Sequence, residues 1–198
     1  KKEDQKKEAK ASEDTIEQFL ESDNQLNDQL PLEKNEIEKH REPLVDELET
    51  LINLYSEGKF SETLALTNDL LGQFPYSVDL HNIAGASNAG LKNFDASINN
   101  YKQAIKTNPN FADAHNNIGN AFLAKGELDE AIACYKKATL VNPDYTEAYW
   151  NLGNAFMDKG MMDDAIDNYK ESIKTNPNLA ISYYLIAKAF QIKGDLEN

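Results

Sequence analysis

ADAHNNIGNAFLAKGELDEAIACYKKATLVNPDY, residues 112–145, decides how this chain is read. Most of the molecule is a variation on it. Gly119 recurs as Gly85 and Gly153, and Gly126 as Gly160 and Gly194. Tyr135 returns as Tyr101 and Tyr169, and Phe122 as Phe156 and Phe190. Pro143 belongs to the series Pro75, Pro109, Pro143, Pro177. The interval is 34 residues each time. Self-similarity at one fixed period marks a repeat architecture, and this period belongs to a two-helix unit.

Working outward, the units run 44–77, 78–111, 112–145 and 146–179, with a partial unit at 180–198. Each reads as an antiparallel helix pair. In the first, Leu44, Leu48, Leu51, Leu54 and Tyr55 form an apolar stripe at helical spacing. Phe60, Leu64, Leu66, Leu70 and Leu71 furnish its second helix. Pro43 is expected at the start of the first helix, where its missing N–H costs nothing. Gly58, Gly126, Gly160 and Gly194 read as turn residues of positive φ, with Lys92 in the matching place of the second unit. Gly85, Gly119 and Gly153 fall inside helices, where glycine costs roughly 1 kcal/mol against alanine. Close packing of the paired helix is the expected compensation. Asn108–Pro109–Asn110, Asn142–Pro143–Asp144 and Asn176–Pro177–Asn178 close the units. The residue after each proline is expected to cap the next helix or form its entry turn.

At these residues the chain resembles the tetratricopeptide repeat family. That pattern runs W-x2-L-G-x2-Y, then a small residue, an aromatic and a closing proline. The third unit supplies His115, Ile118, Gly119, Phe122, Ala131, Tyr135, Ala138 and Pro143. The fourth supplies Tyr149, Leu152, Gly153, Phe156, Ala165, Tyr169, Ser172 and Pro177. The match is weaker over 78–111. Over 44–77 it is degenerate, with Leu51 in place of the glycine and Thr67 in place of the aromatic. The resemblance covers about three quarters of the chain. It implies an all-α, right-handed superhelical solenoid whose first helices line a concave groove. It also implies a non-catalytic scaffold that binds a protein or peptide segment in that groove.

Asn117 and Asn151 are one period apart, as are Asn120 and Asn154. Three-residue spacing puts each pair on one helical face. An amide both donates and accepts, so a ladder of amides can grip an extended backbone whatever its side chains. Solvated polar surface is the bland alternative. Nearby groove positions are Asn116, Leu123, Trp150, Met157, Tyr184 and Lys188. Replacing Asn117 and Asn151 together by alanine is expected to weaken binding and leave stability nearly unchanged. The ladder resembles the repeat region of the O-linked N-acetylglucosamine transferases, on two full rungs; Glu49 and Ile83 stand at the first rung of the earlier units. That likeness implies an alternative reading. The chain would then be the substrate-recognition arm of a larger enzyme, a glycosyltransferase or sulfotransferase, with its catalytic domain beyond Asn198. Co-chaperone repeats that hold acidic C-termini use Lys and Arg here. This chain has Asp113, Glu147 and Asn151, which favours a neutral or basic partner.

Charge points the same way. The 198 residues carry 34 Asp and Glu against 20 Lys and Arg. Phosphate is bound by neutralising it, so nucleic acid and anionic membrane are poor partners. No apolar run approaches the length of a transmembrane helix. The lone cysteine, Cys134, favours a reducing, cytoplasmic compartment. It reads as an inert thiol. His81 and His115 hold equivalent places, taken later by Tyr149 and Tyr183, so packing explains them better than metal binding. Asp129–Glu130 and Asp163–Asp164 open second helices, where they complement the helix dipole. No catalytic, metal or cofactor constellation is legible.

Residues 1–43 lie outside the repeat as a charged leader. Residues 1–10 read as disordered. Ser12 or Asp14 caps a possible short helix with Ile16, Phe19 and Leu20 on one face. At the other end, residues 180–193 are apolar all round, which suggests either a covering helix or self-association. The start at Lys1 and the stop just past Gly194 read as an excised fragment.

Overall fold

The computed structural model describes residues 41–197. The expected leader helix on Ile16, Phe19 and Leu20 lies outside them. From Glu42 the chain is one compact unit. Among the described residues there are nine helices and no strand: α1 (Val45–Ser56), α2 (Phe60–Leu71), α3 (Val78–Gly90), α4 (Phe94–Thr107), α5 (Ala112–Lys125), α6 (Leu128–Val141), α7 (Thr146–Asp158), α8 (Met162–Thr175) and α9 (Ala180–Glu197). They stack in chain order as the hairpins α1–α2, α3–α4, α5–α6 and α7–α8, with α9 laid on α8. The second helix of each pair also packs on the first helix of the next.

One contact recurs at the centre of three hairpins. A Cβ on Gly85 would lie 2.6 Å from the Tyr101 ring, on Gly119 2.5 Å from Tyr135, and on Gly153 2.6 Å from Tyr169. The glycine lets the partner helix seat its aromatic ring against bare backbone. This is the compensation expected for a mid-helix glycine. The first hairpin reverses the sizes. Leu51 stands where the others have glycine, and Thr67 where they have tyrosine; both are fully buried. Thr67 Oγ1 donates to the Thr63 carbonyl at 2.7 Å, so its burial leaves no orphaned hydroxyl.

The turns follow the glycines, with exceptions. Gly58, Gly126 and Gly160 have φ of 75°, 81° and 77°, and Lys92 takes φ 62° in the same role. Gly194 departs from the expectation and lies within α9. Pro43 is not at the first helical position either. It is buried ahead of the N-cap Leu44, whose side chain is 71% exposed rather than part of the inner stripe.

The expected capping after the prolines is also corrected. The backbone N–H of Asn110, Asp144 and Asn178 each donates at 3.1 Å to the side-chain oxygen two residues earlier, on Asn108, Asn142 and Asn176. The working amide therefore precedes the proline. These asparagines are extended where they end a helix, as a residue before proline must be. The next N-caps, Phe111 and Tyr145, make no side-chain cap bond.

Two further ladders tie the hairpins together. Lys125 reaches Asp95 at 2.8 Å, Lys159 reaches Asp129 at 2.5 Å, and Lys193 reaches Asp163 at 2.7 Å. Each lysine bridges back to the second helix of the preceding hairpin. The helix dipole is thus not the whole role of Asp129 and Asp163. The histidines clip loops: His81 Nε2 lies 2.9 Å from the Pro75 carbonyl. His115 is hydrogen-bonded to the Pro109 backbone, and the Tyr183 hydroxyl donates to the Pro177 carbonyl at 3.3 Å.

Candidate functional site

The face chosen by the asparagines spans α5 and α7. Asn120 and Asn154 hold equivalent positions and make equivalent bonds. The Tyr135 hydroxyl donates to Asn120 Oδ1 at 2.7 Å, and the Tyr169 hydroxyl to Asn154 Oδ1 at 2.8 Å. The ring that fills the glycine notch therefore also holds the amide one turn away. Burial pushes both hydroxyls up, that of Tyr169 to about 12 with Asp158 adding to the effect. Both stay protonated and donate. Each amide spends its oxygen on the tyrosine, and neither NH2 group has an acceptor among the described residues.

Asn151 behaves differently. Its Nδ2 donates to Asn116 Oδ1 at 2.9 Å and lies 3.4 Å from Asn120 Oδ1. Asn116 is fully buried and donates in turn to Glu147 Oε1 at 3.2 Å. Asn116, Asn120 and Asn151 form one network across the two helices. Asn116 thus organises the face from beneath. Asn151→Ala would orphan a buried oxygen, at a cost of about 1–3 kcal/mol. The expectation that the Asn117 and Asn151 double substitution leaves stability unchanged is corrected on this ground. Asn117 is half-buried on α5 and has no partner among the described residues.

The other expected positions spread along the stack. Leu123 is exposed on α5, while Trp150 and Met157 are half-buried on α7 against the core around Tyr169. Tyr184 and Lys188 are exposed on α9 and join no network with the asparagines. A cavity of about 340 Å3 opens where α7 meets the start of α9, lined by Thr146, Glu147, Trp150, Leu179 and Ile181. Sequence reasoning missed its other walls and the anchoring tyrosines. A signal for the latter was present: Tyr135 follows Asn120 by 15 residues, and Tyr169 follows Asn154 by the same interval.

Elsewhere, burial pushes the Cys134 thiol up despite Lys102 and Lys137, the opposite of activation. No cluster of three or more His, Cys, Asp or Glu among the described residues is placed to hold a metal ion. No helix among them is long and apolar enough to cross a membrane.

Stacked helix hairpins, glycine notches filled by tyrosine and a polar face on the first helices define a helical-repeat solenoid. The chain belongs to the tetratricopeptide (TPR) repeat family, whose sequence pattern it matches over residues 91–126, 119–160 and 153–194. No curated protein sequence matches it significantly. Among solved structures it is similar to MamA, with a TM-score of 0.66 at 24% identity, over 72% of this chain and 83% of that one. It is similar to YrrB, described as a TPR protein with an unusual peptide-binding site (TM-score 0.61, 17% identity, 81% and 83% covered). It is also similar to the first TPR of Spaghetti (RPAP3) bound to the HSP90 peptide SRMEEVD (TM-score 0.56, 19% identity, 59% and 93% covered). At these identities the likeness is one of fold.

Proposed function

We propose that the chain is a non-catalytic interaction module that binds an extended protein or peptide segment along the first helices. The observation that carries this reading is the pair of tyrosine-held amides, Asn120 and Asn154. Their oxygens are occupied and their NH2 groups are unspent, one period apart. Oriented donors at a fixed repeat suit successive backbone carbonyls of an extended chain. One structural neighbour is described as bound to a peptide and another as having a peptide-binding site, which supports the class of function. The charge differs. SRMEEVD is acidic, whereas this face carries Asp113 and Glu147 on a chain of net charge −14. A neutral or basic segment fits it better.

The test is Asn120→Asp with Asn154→Asp. Aspartate keeps an oxygen for each tyrosine and removes each NH2 donor. Wild type and variant are compared against a displayed library of random peptides. Loss of the wild-type binders supports backbone capture by the amides. Tighter binding of basic peptides by the variant would show charge alone at work and would sink the amide reading.

A second reading rests on α9. Ile181, Tyr183, Tyr184 and Phe190 are exposed there, and at the place of Phe190 the preceding hairpin has Phe156 buried. Large apolar side chains left exposed on one helix suit an interaction site. Association of two copies through α9 is tested by sedimentation velocity, in which a monomer at high concentration would exclude it.

A further inference from the structure

The junction of α5 with α7 and that of α7 with α9 use the same repeat positions for opposite chemistry. At the first, Asn116, Tyr145 and Glu147 are tied together. Asn116 Nδ2 donates to Glu147 Oε1 at 3.2 Å, and the Tyr145 hydroxyl meets Asp113 and Asn116. One period later the same three places hold Trp150, Leu179 and Ile181. These side chains have no such bonds to make, and a cavity of about 340 Å3 opens between them. Thr146 and Glu147 complete its lining, with their polar ends spent elsewhere. The Thr146 hydroxyl is engaged with Thr175 Oγ1 at 2.7 Å, and Asn116 holds the Glu147 carboxylate toward α5. The Trp150 N–H is buried away from solvent, so the indole presents carbon to the cavity.

We propose that this cavity is a socket for one aliphatic side chain, leucine or one of similar size, of the bound segment; the inference rests on the peptide-binding reading above. Trp150 and Asn154 stand one helical turn apart on the same face of α7. A segment whose backbone carbonyl accepts from the Asn154 amide is thereby brought past the cavity mouth. An apolar side chain entering it leaves water for carbon and covers Trp150, Leu179 and Ile181 in the same step. A lysine or glutamate head placed there loses its water and meets no partner. The net charge of −14 sets which segments approach, and the socket selects among them by contact. About 340 Å3 is at the small end for a ligand pocket, room for one long side chain.

Trp150 is the only tryptophan in the chain, so tryptophan emission reports on the socket wall. The probes are four Ser/Ala peptides that differ at one central residue: leucine, alanine, lysine or glutamate. They are titrated at about 1 M salt, where a Debye length of about 3 Å removes the pull of the net charge. The leucine peptide is expected to bind about tenfold tighter than the alanine peptide and to shift Trp150 emission to the blue. Lysine and glutamate should gain nothing over alanine. Ile181→Glu sets a carboxylate on an exposed part of the wall, as Glu147 stands one period earlier, and should bring leucine down to the alanine level. Equal binding of leucine and alanine, lysine matching leucine, an unmoved Trp150 or an unaffected Ile181→Glu variant would each overturn the socket. The ranking on the unaltered chain decides even if the variant fails to fold. Peptides captured from the displayed library that leave Trp150 emission unmoved would overturn the socket and keep the groove. A leucine preference on a chain whose binding is untouched by Asn120→Asp with Asn154→Asp would keep the socket and sink the amide reading. No binding by the four peptides or the library would overturn both.

Discussion

Tyr135 donates its hydroxyl to Asn120 Oδ1 at 2.7 Å, while its ring occupies the space that a side chain at residue 119 would need. One residue therefore closes a hairpin and orients a surface amide. Tyr135→Phe keeps the ring and removes the bond. It should cost about 1 kcal/mol, the net worth of a typical hydrogen bond, read from the urea midpoint. An unchanged midpoint would mean that water replaces the tyrosine at no cost. The variant should also bind peptides more weakly, because the Asn120 amide is no longer held.

Leu51 and Thr67 exchange the sizes found in the later hairpins. Leu51→Gly alone should cost about 3–5 kcal/mol in lost packing and helix propensity. Thr67→Tyr alone should cost about 1–3 kcal/mol by overpacking. Together they restore the glycine–tyrosine notch of the other hairpins. The double variant should then be more stable than the sum of the single losses by about 1 kcal/mol or more, as expected for residues in contact. Strict additivity in a thermal or urea cycle would show that the two positions do not share one space.

Lys92 holds φ 62° at a turn where the other hairpins place glycine. A left-handed backbone costs a residue with a Cβ roughly 1–2 kcal/mol, and glycine escapes that cost. The unfolded chain gains freedom with glycine, which offsets part of the benefit. Lys92→Gly should therefore stabilise the protein by about 0.5–1 kcal/mol. A lower melting temperature would count against strain at this turn.

His115 carries a pH dependence whose sign is set by burial. Burial and Lys137 hold its pKa below the ordinary 6.5, and the bond to the Pro109 backbone opposes them in part. As pH falls through 6.5, the unfolded chain takes up the proton before the folded one. The stability is full above that value and is lost as pH falls toward the folded pKa. His115→Tyr, the residue found at the equivalent 149 and 183, should lose less stability than wild type between about pH 7 and 5. Parallel urea-midpoint curves for the two proteins over that range would refute this account.

The repeat, the glycine notches and the turn positions were legible in the sequence because packing geometry recurs at one period. A mid-helix glycine at 119 and an aromatic at 135 have to meet when two helices fold back on each other, and the pattern states it three times. Asn117, Asn120, Asn151 and Asn154 were legible as one face for the same reason. Which of these amides is spent and which is available was not. Period places Asn117 and Asn151 as equals, yet Asn151 is tied to Asn116 and Asn117 has no partner among the described residues.

The partner of Asn151 is Asn116; one period earlier Asn82 stands in the matching place, yet Asn117 makes no bond to it. Gly194 shows the same limit: its position predicts a turn, yet it lies within α9. The sequence by itself determined the class of fold, since local spacing and side-chain volume are properties of the chain. Only the tertiary structure decided which amides are spent on hydrogen bonds and which remain available, because this depends on distances between residues of different helices, which no period encodes.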